Sequence, residues 1–186
     1  MAFKLIFWAI LVSFACIDAQ KSQCDLNKFR TSNIVPTLIA AVPPNSIQIE
    51  YKDQPVICGD SLTRNLTHER PTSTDYKADV NKLYTLIMLD PDVPTPQNPV
   101  AAFFVHWLLE NIPENAVKHG DIVLDYYPPN PPLHSDPHRY IFLAYEQPAR
   151  LKDQFDHDKR IYFNLRKFVE ERKLTGPIAG NFFYLK

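Results

Sequence analysis

The sequence predicts a strand-rich domain with few helices, most simply an antiparallel sandwich, and three observations carry that prediction. Five short segments have the alternating or continuously apolar character of strands. Seventeen prolines stand against four glycines in 186 residues, a punctuation that breaks helices. Only one long stretch, near the C-terminus, repeats its apolar residues at helical spacing.

In chain order, Lys4, the apolar run from Leu5 to Ala15 and the small Ala19 form a secretory signal over residues 1–19. Cleavage after Ala15 is the competing choice. The run is shorter than the roughly 20 apolar residues of a membrane span. Residues 20–186 then make a single domain, expected to be a monomer without a membrane span. Cleavage after Ala19 removes Cys16 and leaves Cys24 and Cys58, an even number in an oxidising compartment. They are expected to pair, for roughly 3 to 4 kcal/mol of stability in the chain-entropy account. Secretion also gives meaning to Asn65-Leu66-Thr67, an acceptor sequence for a glycan in a polar stretch.

The segment from Leu26 to Ala41 is a candidate for a short helix. Ile47 to Tyr51 alternates apolar and polar residues, as a strand with one wet face does. Leu83 to Leu89 and Ala102 to Leu109 are continuously apolar and read as strands buried on both faces; Ile122 to Tyr127 and Arg139 to Tyr145 complete the set. Ten prolines lie between Pro91 and Pro137, where they exclude helix and central strand. From Asp158 to Lys173, the spacing of Ile161, Leu165, Phe168 and Arg172 predicts a helix, with Asp156 and Asp158 at its start and Gly176-Pro177 as its stop.

Composition narrows the function classes. A hydrophobic content of 45% and a net charge of -1 exclude disorder and an electrostatic nucleic-acid binder. The scarcity of glycine disfavours a glycine-cradled nucleotide site. His134 and His138 have the i, i+4 spacing of a zinc pair, but Pro137 excludes the helix that would unite them, so neither metal nor cofactor is expected.

Strand parity picks out a candidate site. His106 should share a face with Phe104 and Leu108, and His138 with Tyr140, while Arg139 points to the other side as a structural ion-pair partner. Asp90 ends the strand Leu83 to Leu89 and opens a rigid proline turn. If these strand ends converge, two imidazoles, a phenol and a carboxylate face one cavity walled by Phe104, Trp107 or Phe142. Such a set suits a small anion, because protonated His and Tyr donate to phosphate oxygens and Asp orients a His ring.

Asp90-Pro-Asp-Val-Pro94, His106-Trp107, and the run from Asp125 through Pro128-Pro-Asn130-Pro-Pro132 to His138-Arg139-Tyr140 resemble the phosphatidylethanolamine-binding proteins, also called the Raf kinase inhibitor protein family. Ile34-Val-Pro36, Arg70-Pro-Thr-Ser73, Lys82-Leu-Tyr-Thr85 and Pro177-Ile-Ala-Gly180 support it in the expected order. The resemblance implies two antiparallel sheets with peripheral helices and a small anion pocket. It implies that Asp90, His106, His138 and Tyr140 take the phosphate of a phosphoethanolamine-type ligand, with Pro94 at the rim. The pocket loop departs from the family by lacking glycine, but the backbone N–H of Asn130 remains to reach an anion, which Pro128 cannot do.

These readings predict a secreted binding protein for a phosphate-bearing or other small anionic ligand, without turnover. The alternative is an extracellular inhibitor or signalling modulator of the protease- or kinase-pathway type, meeting a protein partner through a proline-rich loop. No catalytic nucleophile is evident, which leaves a His/Asp hydrolase as the weakest option.

Overall fold

The computed structural model describes residues 24–152 and 160–186, so the expected signal segment and Asp156 and Asp158 lie outside the described residues. The elements run α1 (Lys28–Thr31), β1 (Asn45–Ser46), β2 (Gln48–Tyr51), β3 (Gln54–Val56), β4 (Asp60–Leu62), β5 (Ser73–Asp75), β6 (Leu83–Asp90) and β7 (Phe104–Pro113). A 3-10 turn (Val117–His119) follows, then β8 (Asp121–Leu124), β9 (His138–Gln147), α2 (Leu165–Glu171) and β10 (Thr175–Leu185). The larger sheet has seven strands in the order β1-β10-β9-β6-β7-β8, with β4 also on β10; the smaller has the order β3-β2-β5. All pairings are antiparallel except those of β1 and β4 with β10.

Two cores follow from strand parity, one on each face of the large sheet. Tyr140, Phe142 and Ala144 of β9 pack with Met88 and Phe183 against Ile47 and against Ile49, Tyr51 and Val56 of the small sheet. The alternate residues Ile141, Leu143 and Tyr145 pack with Ile87, Leu89 and Phe182 against Phe29 of α1 and Leu165 and Phe168 of α2. Gly180 is required where α1 crosses β10, since a Cβ there would stand 2.9 Å from the Phe29 ring and from Pro43. Cys24 and Cys58 are disulfide-bonded with their Cα atoms 4.8 Å apart, as the sequence predicts.

Two expectations need correction. The C-terminal helix is shorter than expected, because the backbones of Arg160, Tyr162 and Phe163 pair with Val105, Ala101 and Phe103 instead of turning. Asn164 is the true start, its Oδ1 accepting the Lys167 N–H as a helix cap. Gly176-Pro177, read as a helix stop, lies inside β10, an interior strand that the sequence reading missed. Between Thr175 and Ala179 its register with β9 shifts, and that irregularity is where a strand tolerates Gly-Pro.

Candidate functional site

The strand ends of β6, β7 and β9 do converge. Asp90 closes β6, and its carboxylate has both oxygens occupied: Oδ1 accepts the Asp92 N–H at 2.7 Å and Oδ2 accepts His138 Nδ1–H at 2.7 Å. His138, buried at the start of β9, has its Nε2 2.9 Å from the Ser135 hydroxyl. Both of its ring nitrogens are thus held inside the protein. Tyr140, two residues on, stacks over the His138 ring at 6.4 Å, as their shared face predicts.

His106 reaches the same place by an irregular route. Between the Met88–Trp107 and Leu89–Val105 pairs, β7 carries one extra residue, a β-bulge at His106. The bulge keeps His106 beside Phe104 at 4.7 Å and Tyr140 at 5.1 Å, and it resets the parity after it. Leu108 therefore belongs to the opposite core rather than to the face of His106. Trp107 turns toward Tyr126 instead of walling the His106 site, and Phe142 lies one layer deeper against Phe183. Of the three expected wall residues, Phe104 is the one in place.

Burial pushes the His106 imidazole down to about 4, against the opposing pull of the Tyr127 carbonyl at 2.7 Å and the Asp90 charge. At neutral pH the ring is therefore uncharged, with Nδ1–H donating to Tyr127 and Nε2 presenting a lone pair. The Tyr140 hydroxyl has no hydrogen-bond partner although Tyr140 is fully buried. Burial raises its pKa; Asp90 adds to the effect through its charge and as a nearby acceptor outside good hydrogen-bond geometry, and the Arg64 charge opposes it. Arg64 hydrogen-bonds the side chain of Asn130 and the carbonyl of Pro131, both neutral, so its charge meets no carboxylate in an ion pair among the described residues.

The remaining candidates sit at the periphery. Pro94 is exposed on the β6–β7 loop. Asn130 is exposed on the β8–β9 loop, where its side chain anchors Arg64. Arg139 is the structural ion-pair partner that the sequence suggests, clamped by Asp92. Three site residues escaped the sequence reading. Ser135 carried the faint signal of a hydroxyl three residues before His138, bent back by Pro137; Tyr127 and Arg64 carried none. Ser135, His138 and Asp90 are linked as in a hydrolase triad. Here, however, the serine is buried and its hydroxyl donates to the Asp136 carbonyl at 2.9 Å, so the chain braces the loop instead of presenting a nucleophile.

The neutral state of His106 predicts a pH effect on stability. The ring takes up its proton near 6.5 in the unfolded chain and near 4 in the fold, so across that window the unfolded chain binds more protons. The stabilisation is fully present above pH 6.5 and is lost as pH falls toward 4. Urea titrations should show a steeper acid loss for the native chain than for His106→Gln. Identical profiles would refute the assignment.

With the geometry described, comparison with known proteins is informative. The phosphatidylethanolamine-binding protein profile matches residues 40–183. The chain is similar to the 26 kDa secreted antigen of Toxocara canis, 33% identical over an alignment of 162 residues that covers 83% of this chain and 62% of the antigen. It thus spans less than two thirds of that relative. It is also similar to TERMINAL FLOWER 1 of Arabidopsis thaliana, 31% identical over 142 residues, covering 76% of this chain and 79% of the plant protein. Among solved structures, a carboxypeptidase Y inhibitor complexed with its cognate proteinase superposes with a TM-score of 0.75 at 25% identity, over 87% of this chain and 94% of the inhibitor. A profile match across most of the described domain, with a relative 31% identical over 76% of the chain, leads to one conclusion: the chain belongs to the phosphatidylethanolamine-binding protein family.

Proposed function

We propose that this chain is a secreted, monomeric binding protein for a phosphate-bearing headgroup such as phosphoethanolamine, held without turnover. The observation that carries the reading is a set of polar groups with capacity left to bind: the unpartnered Tyr140 hydroxyl, the Nε2 of neutral His106, and Arg64, whose charge acts on Tyr140 and meets no carboxylate in an ion pair among the described residues. A phosphate monoester matches all three. Its protonated oxygen donates to Nε2, its charged oxygens accept from Tyr140, and Arg64 supplies the balancing charge. The ethanolamine ammonium would lie against the Phe104 ring, since the Tyr127 ring already carries the Arg160 guanidinium 5.6 Å from its centroid.

In this reading Asp90 and His138 position the site, and Pro94 and Asn130 frame its rim, Asn130 by holding Arg64. Secretion through residues 1–19, leaving the single domain 20–186, is supported by the similarity to a secreted antigen and by the Cys24–Cys58 bond. A glycan at Asn65 is supported by that side chain's exposure.

Calorimetry with phosphoethanolamine tests the site. His106→Ala and Tyr140→Phe should each weaken binding by roughly 1.5 to 3 kcal/mol, the worth of a hydrogen bond to a charged group. Unchanged binding in both would reject it. Because one proton sits between the phosphate and Nε2, affinity should fall as pH rises past the phosphate's second ionisation near ~6. A flat profile from about pH 5.5 to 8.5 would exclude the shared proton.

The similarity to a carboxypeptidase Y inhibitor favours a second reading, an inhibitor of a protease or signalling partner that uses the proline-rich β6–β7 loop. A stoichiometric protein partner retained by His106→Ala would support that reading over the first.

A further inference from the structure

We propose that a groove between the open edges of the two sheets is a second ligand site, for a single-chain amphiphile with an anionic head. β5 ends the small sheet and β8 ends the large one, and no strand of the described residues bridges the gap between them. The groove has a volume of about 700 Å³, within the roughly 300–1,000 Å³ of small-molecule sites. One wall is the Arg70–Thr74 stretch leading into β5, and the other is the 3-10 turn with its flanks.

The floor is apolar and the rim has one sign of charge. Trp107, Leu109, Val117 and Ile122 line the groove, and Ile122 is 54% exposed. Trp107 is 95% removed from solvent (5% exposed), yet its indole N–H has no acceptor. The Trp107 ring is part of the groove lining, so its emission reports on an occupant. Among the described residues that line the groove, Arg70, Lys118 and His119 are the charged or titratable ones and none is a carboxylate. Of the neighbouring acids, Glu69 faces His68, Asp75 accepts from Asn115, Glu114 accepts from the Asn81 N–H, and Asp121 pairs with Arg150. Arg70 and Lys118 form no ion pair among the described residues.

This combination selects the occupant. An acyl chain covers the floor, and a carboxylate or phosphate head meets the cations. A peptide strand is disfavoured because β5 offers an edge of three residues and β8 one of four, short edges of the kind that resist strand addition. The β7 bulge explains how two sites coexist: it sends His106 toward Tyr140 and the next residue, Trp107, toward the groove.

The test uses the secreted chain, in which Trp107 is the single tryptophan once the segment containing Trp8 is removed. Oleate, below its aggregation concentration, should quench or shift Trp107 emission with one-to-one stoichiometry by calorimetry. Oleyl alcohol should bind at least about tenfold more weakly, and Arg70→Glu/Lys118→Glu should weaken oleate by about tenfold or more, the effect expected of losing a charge-assisted contact. The two exposed substitutions should leave the fold and phosphoethanolamine binding intact, and His106→Ala should leave oleate binding intact. The proposal is overturned if oleate does not bind, if the charge reversals leave it unaffected, if His106→Ala abolishes it, or if an acidic peptide binds the groove and oleate does not. Failure here leaves the headgroup site standing, since phosphoethanolamine reads that site alone.

Discussion

Asp92→Ala is expected to lower the unfolding free energy by about 3–5 kcal/mol, the cost of breaking a buried ion pair from one side. Asp92 is 1% exposed. Its Oδ1 accepts from Arg139 NH2 at 2.6 Å, and its Oδ2 accepts from Arg139 Nε at 2.9 Å and from the Arg139 backbone N–H at 2.8 Å. Alanine removes both acceptor oxygens, and with them three hydrogen bonds, and leaves a largely buried guanidinium without its counter-charge. The loss should reach the candidate site as well. The Asp92 N–H fixes Asp90 Oδ1, and Asp90 fixes His138, so loosening the turn frees the scaffold beneath Tyr140. Urea unfolding at neutral pH should show the loss, with weaker phosphoethanolamine binding in the same preparation. A loss below about 1 kcal/mol would place Asp92 with ordinary surface pairs.

The contrast between Asp92 and His106 shows what the sequence can carry. Asp90, His138, Tyr140 and Arg139 were legible because strand parity and a proline turn are local rules, and local rules place these residues correctly. The position of His106 was legible, but the bulge that rotates Trp107 and Leu108 away from their expected faces was not, since it exists only in the pairing of β7 with β6. The interior strand β10 was missed for a related reason. Gly176-Pro177 is a strong local breaker, and only the shifted register with β9 makes it tolerable. The charge state of His106 also lay beyond the sequence: a cationic imidazole was the natural expectation, and enclosure by Phe104, Tyr127 and Tyr140 makes it neutral. Arg64 was invisible because its role depends on a loop crossing that brings it to Asn130 and Pro131 across more than sixty residues.

The replacement of both Cys24 and Cys58 by serine is expected to cost roughly 3 to 4 kcal/mol, the chain entropy regained by opening a loop of this length. The two residues are 34 apart. The bond tethers the segment that carries α1, where Phe29 packs edge-on against Phe182 at 5.1 Å and Lys28 Nζ donates to the Cys58 carbonyl at 2.9 Å. Just beyond α1, the carbonyls of Ser32 and Asn33 accept from Arg139 NH1 at 2.9 and 3.3 Å. Arg139 therefore joins the tethered segment to Asp92, and through Asp92 to the turn that holds Asp90. The cysteine and Asp92 substitutions should not add: residues sharing a network typically couple by about 0.5–3 kcal/mol. Once the tether is cut and Arg139 has lost part of its frame, Asp92→Ala has less left to break, so the combined loss should be smaller than the sum. A double-mutant cycle by urea unfolding measures this directly. Additivity within about 0.3–0.5 kcal/mol would mean that α1 and the site scaffold are held independently, and that the disulfide contributes to the fold without reaching the site.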